Sequence, residues 1–452
     1  MNRKANLTAD PVPSLIRHLA VPVSVGFFFN TMFNVVDTFY AGLISTQALA
    51  ALSLSFPVFF IIIALAGGVS TGTTALIATS LGAGDERTAR TMAVQGVVFG
   101  LLLSVLITAL GLTVSPALFT LLGASGQYLE TSVAYMDTIF AGAVFFVLNN
   151  MLNAVLNAQG DTRPFRNFLI MSFFLNCILD PWFMFGWLGF PAMGVRGVAL
   201  ATVACQVAGC VYLGSCVART DLMCRDCIRE IIPDPRAIGE IVKQGLPTGL
   251  NFITVGLGAF VITYFISAFG AQAVAAYGVA LRVEQIMLLP SIGLNVATVT
   301  LVAQNNGARM FARVFETVRA ALAYGGVFMA AAGVMLFVLA GPLMRIFTKD
   351  AAVVEIGTLY LRIAAFLLYA YVLLYVNVAA LQGVKRPGYG LFIGLLRQIA
   401  LPLLVFPLFS RTLGLGLAGI WWGIFCINWC AAAFTYGYTR FHLRRLLVSG
   451  QA

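Results

Sequence analysis

The chain has 452 residues, of which 60% are hydrophobic and 10% are charged, and its mean hydropathy is +0.94. Soluble globular proteins carry about 25% charged residues, so this composition excludes a water-soluble globular protein and favours a chain whose surface faces lipid. The net charge is +10, and most of the basic residues lie in the loops between apolar stretches. This distribution indicates membrane topology and contact with lipid headgroups, not nucleic-acid binding.

Twelve apolar stretches are long enough to cross a bilayer as helices, which takes roughly 20 residues. Unbroken apolar runs such as Phe59–Ile63 do not fit the alternating polarity of barrel strands. The first stretch is too long for a cleavable signal peptide. The predicted spans, in chain order, are 14–42, 50–79, 92–114, 128–157, 166–188, 194–217, 240–268, 273–303, 317–341, 352–381, 389–409 and 414–438.

Basic residues cluster in every second loop. With the N-terminus inside, 21 of the 27 Lys and Arg residues lie on the cytoplasmic side, which is the bias that sets orientation in membrane proteins. We therefore predict a multi-pass protein of the cell inner membrane with both termini in the cytoplasm. We expect a monomer in contact with membrane lipids.

The chain repeats itself at an offset of 225 residues. Pro22 aligns with Pro247, Tyr135 with Tyr360, and Gln47–Ala51 with Gln272–Ala276. Each half contains six spans, so both halves enter the membrane in the same direction. The predicted fold is an all-α membrane protein with twelve transmembrane helices in two parallel six-helix lobes, related by a pseudo-two-fold axis along the membrane normal. The predicted boundaries are 1–217 for the first lobe, 218–239 for a cytoplasmic linker, and 240–452 for the second lobe and tail.

Five polar side chains in the first lobe are predicted to share one depth. Asp37 and Asp180 each lie about 8 residues, or roughly 12 Å, below the outer ends of the first and fifth spans. Asn176 is on the same helical face as Asp180. Tyr135 and Thr202 fall at nearly the same depth on the fourth and sixth spans.

Two carboxylates at close range in a low-dielectric environment cannot both stay ionised unless a cation joins them. The pair therefore holds a proton, or it binds Na⁺ together with Asn176. The alternative is that Asp37 and Asp180 only satisfy each other or face a static water pocket. Pro181 removes an N–H beside the acid and kinks the helix. We assign Pro181 and Pro22 as kinks that would couple ion binding to helix shape.

A cavity for cargo is predicted beside this site. Phe29, Met32 and Phe33 lie near Asp37 on the first span, and aromatic and Met surfaces accept varied flat or cationic ligands. Asn150 and Asn153 belong to a polar stripe on the fourth span, where cargo contact and interhelical hydrogen bonding are equally compatible with the sequence.

Other unusual residues have structural interpretations. Arg282 and Glu284 are expected to pair with each other or with headgroups. Asp137 and Arg362 are near equivalents in the repeat with opposite charge, so a gate between the lobes is a second interpretation for them. Cys224 and Cys227 form a CxxC without a second pair, which favours free thiols over a metal or redox site.

Several motifs resemble those of the multidrug and toxic compound extrusion (MATE) family, and most closely its DNA-damage-inducible prokaryotic branch. They cover nearly the whole chain in the family's order. They are Leu19-Ala20-Val21-Pro22, Asp37-Thr38, Gly82-Ala83-Gly84-Asp85, Asn157-Ala158-Gln159-Gly160-Asp161-Thr162-Arg163, Asn176 with Leu179-Asp180-Pro181, and Arg282-Val283-Glu284 followed by Gln304-Asn305.

The resemblance implies a secondary active multidrug exporter that exchanges cationic or amphipathic organic compounds for H⁺ or Na⁺ by alternating access. It also implies an ion site at Asp37, Tyr135, Asn176, Asp180 and Thr202. Another branch of the family places acids on spans seven and ten, where this chain has Val255 and Tyr371, which favours the first lobe and, mildly, H⁺.

Other functions fit the sequence less well. The alternative within the superfamily is a flippase for lipid-linked oligosaccharides, although such relatives usually have about fourteen spans and more cationic cavities. A membrane receptor or scaffold does not account for the duplicated halves. No nucleophile–base set indicates an enzyme, and we expect no cofactor beyond the coupling ion.

Overall fold

The computed structural model describes residues 5–186, 189, 191–223 and 230–449, and its regular structure over those ranges is entirely helical. Two π-helical turns, Leu396–Ala400 and Leu408–Thr412, flank α15. The α-helices are α1 (Val12–Ile44), α2 (Thr46–Gly82), α3 (Glu86–Leu121), α4 (Gly126–Ala141), α5 (Ala143–Ala158), α6 (Arg163–Phe185), α7 (Val195–Val217), α8 (Pro235–Ser267), α9 (Ala271–Met287), α10 (Leu289–Gly307), α11 (Phe311–Phe347), α12 (Ala351–Ala365), α13 (Leu368–Gly383), α14 (Gly388–Leu395), α15 (Leu401–Pro407) and α16 (Gly416–Ser449).

The helices confirm the twelve predicted spans. Across the described part of the chain, nine helical segments are long and apolar enough to cross a membrane singly, and three bent pairs complete the set. The pairs are α4 with α5, α9 with α10 and α12 with α13, bent by 44°, 47° and 50°. Pro290 stands in the first turn of α10, where a proline is tolerated because that N–H has no helical partner.

Two compact units divide the chain, and two helices pass from one unit into the other. The unit that holds the second half of the sequence contains the chain up to Ser24, Gly82–Gly84 and everything from Leu250 onward. The other unit contains Val25–Leu81 and Asp85–Gly249. The exchange therefore falls inside α1 and inside α8, two residues after Pro22 and Pro247. The two units are defined by which residues pack together, whereas the halves 1–217 and 240–452 are defined by the sequence repeat. The domain boundaries derived from the repeat remain a prediction.

Glycines allow α2 and α8 to pack closely within the unit that holds Asp37. A Cβ atom at Gly68 would lie 2.2 Å from the backbone N of Gly249, and one at Gly72 would lie 2.6 Å from the N of Gly245. Both helices carry small residues four apart, the spacing that lets membrane helices approach most closely. Larger residues at these positions would force the two helices apart.

The other unit has the matching helix contact. A Cβ atom at Gly293 would lie 2.3 Å from the Ala20 carbonyl oxygen and from the Ser24 hydroxyl. Gly293 is the repeat equivalent of Gly68, and Ala20 and Ser24 are the equivalents of Gly245 and Gly249 at the same offset of 225. The repeat is thus preserved in the packing: the first part of each half's leading helix packs in the unit formed mainly by the other half.

Each unit has its own apolar core. Trp421 and Tyr360 are the largest fully buried side chains of one, and Phe119 and Met136 belong to the other. Large apolar side chains also cover the outside of the helices, for example Val211 with 70% of its surface exposed. Such a surface suits a lipid solvent and would be unfavourable in water.

Candidate ion-coupling site

Two helices bring the acidic side chains together inside one unit. Asp37 lies in the second part of α1, and Asp180 lies near the end of α6. Asn176 precedes Asp180 by one helical turn, so both project from the same face of α6. All three are buried, with 6% of the surface of Asp37 exposed and none of Asn176 or Asp180.

Asn176 connects the two acids. Its side-chain amide donates to Asp37 Oδ1 at 2.9 Å and to Asp180 Oδ1 at 3.0 Å. The Asp37 and Asp180 carboxyl groups also contact each other directly. Because one amide donates to both carboxyls, a change in the protonation or position of one acid alters the hydrogen bonding of the other.

Thr202 and Tyr135 complete the predicted set. The Thr202 hydroxyl in α7 lies 3.4 Å from Asp37 Oδ2 and 3.1 Å from the Val198 carbonyl oxygen of its own helix. The longer distance makes the first contact weak. Tyr135 in α4 is buried and close enough to interact electrostatically with both acids. The structure therefore brings together all five side chains assigned to the site, from α1, α4, α6 and α7.

Pro181 changes the backbone beside the acid. Its missing N–H leaves the Cys177 carbonyl without a partner in α6, and the Tyr40 hydroxyl donates to that oxygen at 3.4 Å. Tyr40 follows Asp37 by three residues on α1. Tyr40 is not among the residues predicted for the site, although its i+3 spacing from Asp37 places both side chains on one face of α1.

Two oxygen atoms of the site have no hydrogen-bond partner within the described residues. They are Asn176 Oδ1 and Asp180 Oδ2, and both are buried. A buried acceptor left unpaired costs about 1–3 kcal/mol, and this cost falls when a proton or cation arrives. The residues present can therefore hold a proton between the carboxyls, and their oxygens are also a possible donor set for Na⁺.

The predicted cargo residues are distributed around this site. Phe33 is buried and packs in the cluster of Leu179, Ala201 and Cys205 beside the acids. Phe29 is half-buried against Phe173, with ring centroids 5.6 Å apart. Met32 is also half-buried.

The asparagines of α5 make helix contacts. The side-chain amide of Asn150 donates to the backbone carbonyl of Phe146 at 2.9 Å, and the backbone carbonyl of Asn150 accepts from the Ser70 hydroxyl at 2.8 Å. Asn153 is buried, and its Oδ1 has no partner in the described part of the chain. Their role in cargo binding remains a prediction.

Glu284 belongs to a second buried polar cluster, in the other unit. The expected pairing of Glu284 with Arg282 is wrong, because Arg282 is exposed while Glu284 Oε2 accepts from the Tyr360 hydroxyl at 2.6 Å. Contact of Arg282 with headgroups, the alternative, remains a prediction. Glu284 also contacts Tyr371, and it interacts electrostatically with Arg397. The helices α9, α12 and α13 and the π-helical turn at Arg397 thus meet at one carboxylate.

The remaining charged and thiol residues have local surroundings. Asp137 interacts electrostatically with Arg196, and the Arg362 guanidinium lies 5.6 Å from the centre of the Phe337 ring. A gate formed by Asp137 and Arg362 remains a prediction. Cys224 and Cys227 lie outside the described residues.

Comparisons with known proteins identify the fold and the family. The chain is 28% identical to the probable multidrug resistance protein NorM of Thermotoga maritima, over 93% of this chain and 91% of that protein. It is 27% identical to the FAD transporter of Shewanella oneidensis, over 89% of each. A crystal structure of a MATE protein in complex with MaL6 matches with a TM-score of 0.92, 26% identity and 99% coverage of both chains.

A family model described as MatE matches the chain twice, over residues 22–182 and 247–407. The second match begins and ends 225 residues after the first, which is the offset of the sequence repeat. The two matches cover most of the chain and confirm the duplicated architecture. The chain therefore belongs to the MatE family, and it is a transporter with many membrane spans, not an enzyme.

Proposed function

We propose that this transporter exports cationic or amphipathic organic compounds in exchange for protons, by alternating access across a cell membrane whose cytoplasmic side holds both termini. The observation that carries the proposal is the Asn176 amide, which holds the Asp37 and Asp180 carboxyls together in a buried site. Charged groups inside membrane spans are expensive and usually functional. A pair of acids that share a donor is a device for taking up and releasing a cation.

The arrangement of donors favours H⁺ over Na⁺ as the coupling ion. The amide N–H of Asn176 faces both carboxyls, so one oxygen of each acid already accepts a hydrogen bond. A sodium site would need several free oxygen ligands in the same space. A proton needs only the contact between the two carboxyls. The proposal therefore assigns H⁺ to the acid pair and treats Na⁺ as the competing ion in the test.

The cargo class rests on two supports. The half-buried side chain of Phe29 lies about two turns from Asp37 on α1, and aromatic faces bind flat or cationic molecules. The two relatives named above are described as a multidrug resistance protein and as an FAD transporter, and FAD carries two flat heteroaromatic ring systems. The proposal is that this chain also moves organic molecules with flat ring systems.

Dye efflux from proteoliposomes tests the coupling. The purified protein is reconstituted, and efflux of a cationic dye is followed under a proton gradient alone and under a sodium gradient alone. The expected result is efflux driven by the proton gradient, lost in both Asp37→Asn and Asp180→Asn. Glu130→Gln is the matched control, because it removes an exposed acid from the same unit outside the site, and it should export at the wild-type rate.

Each other outcome has a defined meaning. Full efflux by both site variants would overturn the acid pair as the coupling site. Efflux driven only by sodium would replace H⁺ with Na⁺. Binding of a lipid-linked oligosaccharide together with no response to cationic dyes would favour the flippase instead.

A further inference from the structure

A half-open groove of about 860 Å³ lies between α11, α13 and α16, in the unit that contains Leu250 onward. Its walls are mostly apolar, with Leu322, Leu373 and Leu443 among the lining residues. Three arginines also line it, namely Arg319, Arg440 and Arg444. This groove is separate from the acid pair, which belongs to the other unit.

The arginines lie toward one end of the groove. Arg319 follows the start of α11 at Phe311 by 8 residues, and Arg444 precedes the end of α16 at Ser449 by 5, which are roughly 12 Å and 8 Å of helix. The basic-residue distribution places these helix ends on the cytoplasmic side. The groove thus combines a cationic end at the depth of lipid headgroups with apolar walls that continue into the membrane.

The positive charge of the groove is mostly uncompensated. Arg319 and Arg444 are exposed and have no hydrogen-bond or ion-pair partner among the residues that the structure describes. Arg440 donates to the Tyr436 hydroxyl at 3.1 Å, a neutral group. The lining contains one carboxylate, Glu316. The groove therefore carries a net charge of about +2, which favours an anionic occupant.

The repeat shows what covers the equivalent helix face in the other unit. Gln95 on α3 donates to the Ile232 carbonyl at 2.8 Å and accepts from the backbone N–H of Asp234 at 3.0 Å. The segment before α8 is thus held against α3. The repeat equivalent of Gln95 is Ala320. Ala320 itself does not line the groove, but Glu316 and Ala323, one turn before and after it on the same helical face, do.

The floor of the groove has an unsatisfied polar group. Thr439 lines it with 1% of its surface exposed, and its hydroxyl oxygen has no partner in the described ranges. A buried hydroxyl normally finds a hydrogen-bond partner. A polar headgroup or glycerol backbone in the groove would supply one, whereas a purely apolar occupant would not.

We propose that this groove binds an anionic phospholipid of the inner leaflet, with its phosphate on Arg319, Arg440 and Arg444 and an acyl chain along Leu322 and Leu373. Basic pockets between membrane helices on the cytoplasmic side bind anionic headgroups. Guanidinium groups match phosphate with two parallel hydrogen bonds. The inference uses the proposed orientation of the chain and is independent of the coupling ion and the cargo.

Native mass spectrometry of the delipidated protein tests the site. Phosphatidylglycerol and phosphatidylcholine are titrated separately into wild type and into the triple variant Arg319→Gln/Arg440→Gln/Arg444→Gln. Each Lys or Arg near a membrane surface contributes about 1 kcal/mol to the binding of anionic lipid, so the triple variant should bind the first phosphatidylglycerol roughly a hundredfold more weakly. Wild type should bind phosphatidylcholine far less tightly than phosphatidylglycerol.

A second triple variant controls for charge. Arg87→Gln/Arg236→Gln/Lys243→Gln removes the same charge from exposed positions of the other unit and should bind phosphatidylglycerol as wild type does. Ala323→Trp keeps all three arginines but fills the groove from an exposed lining position, and it should weaken binding as well. This second route keeps the test valid if the arginine variant is unstable.

Three results would overturn the proposal. Equal binding of phosphatidylcholine and phosphatidylglycerol would remove the role of charge. Equal loss in both charge variants would assign the effect to net charge instead of to the groove. Displacement of phosphatidylglycerol by millimolar inorganic phosphate, with no effect of Ala323→Trp, would indicate a free-phosphate site.

Discussion

Replacing Asn176 with Leu isolates the amide that joins the two acids, since the side chains are similar in size and differ in polarity. The variant removes two hydrogen bonds to buried carboxyl oxygens, at 2.9 Å and 3.0 Å. Hydrogen bonds to charged groups contribute about 1.5–3 kcal/mol each. Loss of the unpaired Asn176 Oδ1 returns about 1–3 kcal/mol. The expected net loss in the free energy of unfolding is about 2–3 kcal/mol.

Thr202→Val is the matched comparison. It removes one 3.4 Å contact to Asp37, and the hydroxyl already bonds within α7 at 3.1 Å, so the expected loss is below about 1 kcal/mol. Both variants are unfolded reversibly by denaturant in mixed micelles, and their dye efflux is measured in proteoliposomes at equal protein content. Proton-driven efflux should fall more than tenfold in Asn176→Leu and less than threefold in Thr202→Val. Equal effects of the two variants, in stability or in efflux, would refute the bridging role of Asn176.

Three further predictions concern other parts of the molecule. Gly82→Ala should lower the free energy of unfolding by about 3 kcal/mol, because its Cβ would lie 1.9 Å from a backbone oxygen of α10. Gly84→Ala, at a positive φ of 73° with open space around it, should cost about 1 kcal/mol, and equal costs would contradict the packing argument. Tyr360→Phe removes the hydroxyl that donates to the buried Glu284 carboxyl at 2.6 Å and should lower the free energy of unfolding by about 1.5–3 kcal/mol. In a Glu284→Gln background the same substitution should cost less, because the acceptor is no longer charged. Asp85 caps the N-terminus of α3. Hydrogen bonds to its carboxylate, first from the Thr88 hydroxyl and then from the Thr88 backbone N–H, lower the pKa of Asp85 below its usual value of 3.8. Its stabilising effect is therefore complete above that pH and is lost as the pH falls through the lowered pKa, so thermal melts of wild type and Asp85→Ala should differ at pH 7 and converge in acid.

The spans could be predicted from the sequence because a membrane requires long apolar helices, and twelve stretches of the chain have the necessary length and composition. The bends between paired helices were not predicted. Pro290 marks one of them, but the bend between α12 and α13, near Phe366, has no proline in the sequence. At this bend the backbone N–H groups of Phe366 and Leu367 donate to carbonyl oxygens three residues back instead of four. The hydrophobic pattern does not reveal such an interruption of the helical hydrogen-bond ladder.

The acid pair could be predicted because depth along a straight helix follows from counting residues. Asp37, Asn176 and Asp180 fell at one depth by that count, and the structure brings them into contact. The surroundings of Glu284 could not be predicted in the same way. Its partner Tyr360 lies 76 residues later, on a helix whose rotation the sequence does not fix.

The passage of α1 from one unit into the other has a consequence for synthesis. Ala20 packs against Gly293 on α10, which the ribosome makes about 270 residues later. At roughly 5–20 residues per second, the leading segment of α1 waits on the order of 15–50 s for its partner. During that interval its packing face must be sheltered by lipid or by the insertion machinery. A nascent chain that ends before α10 therefore contains Asp37 on α1, but it lacks the contact with α10 that holds the start of α1 in place.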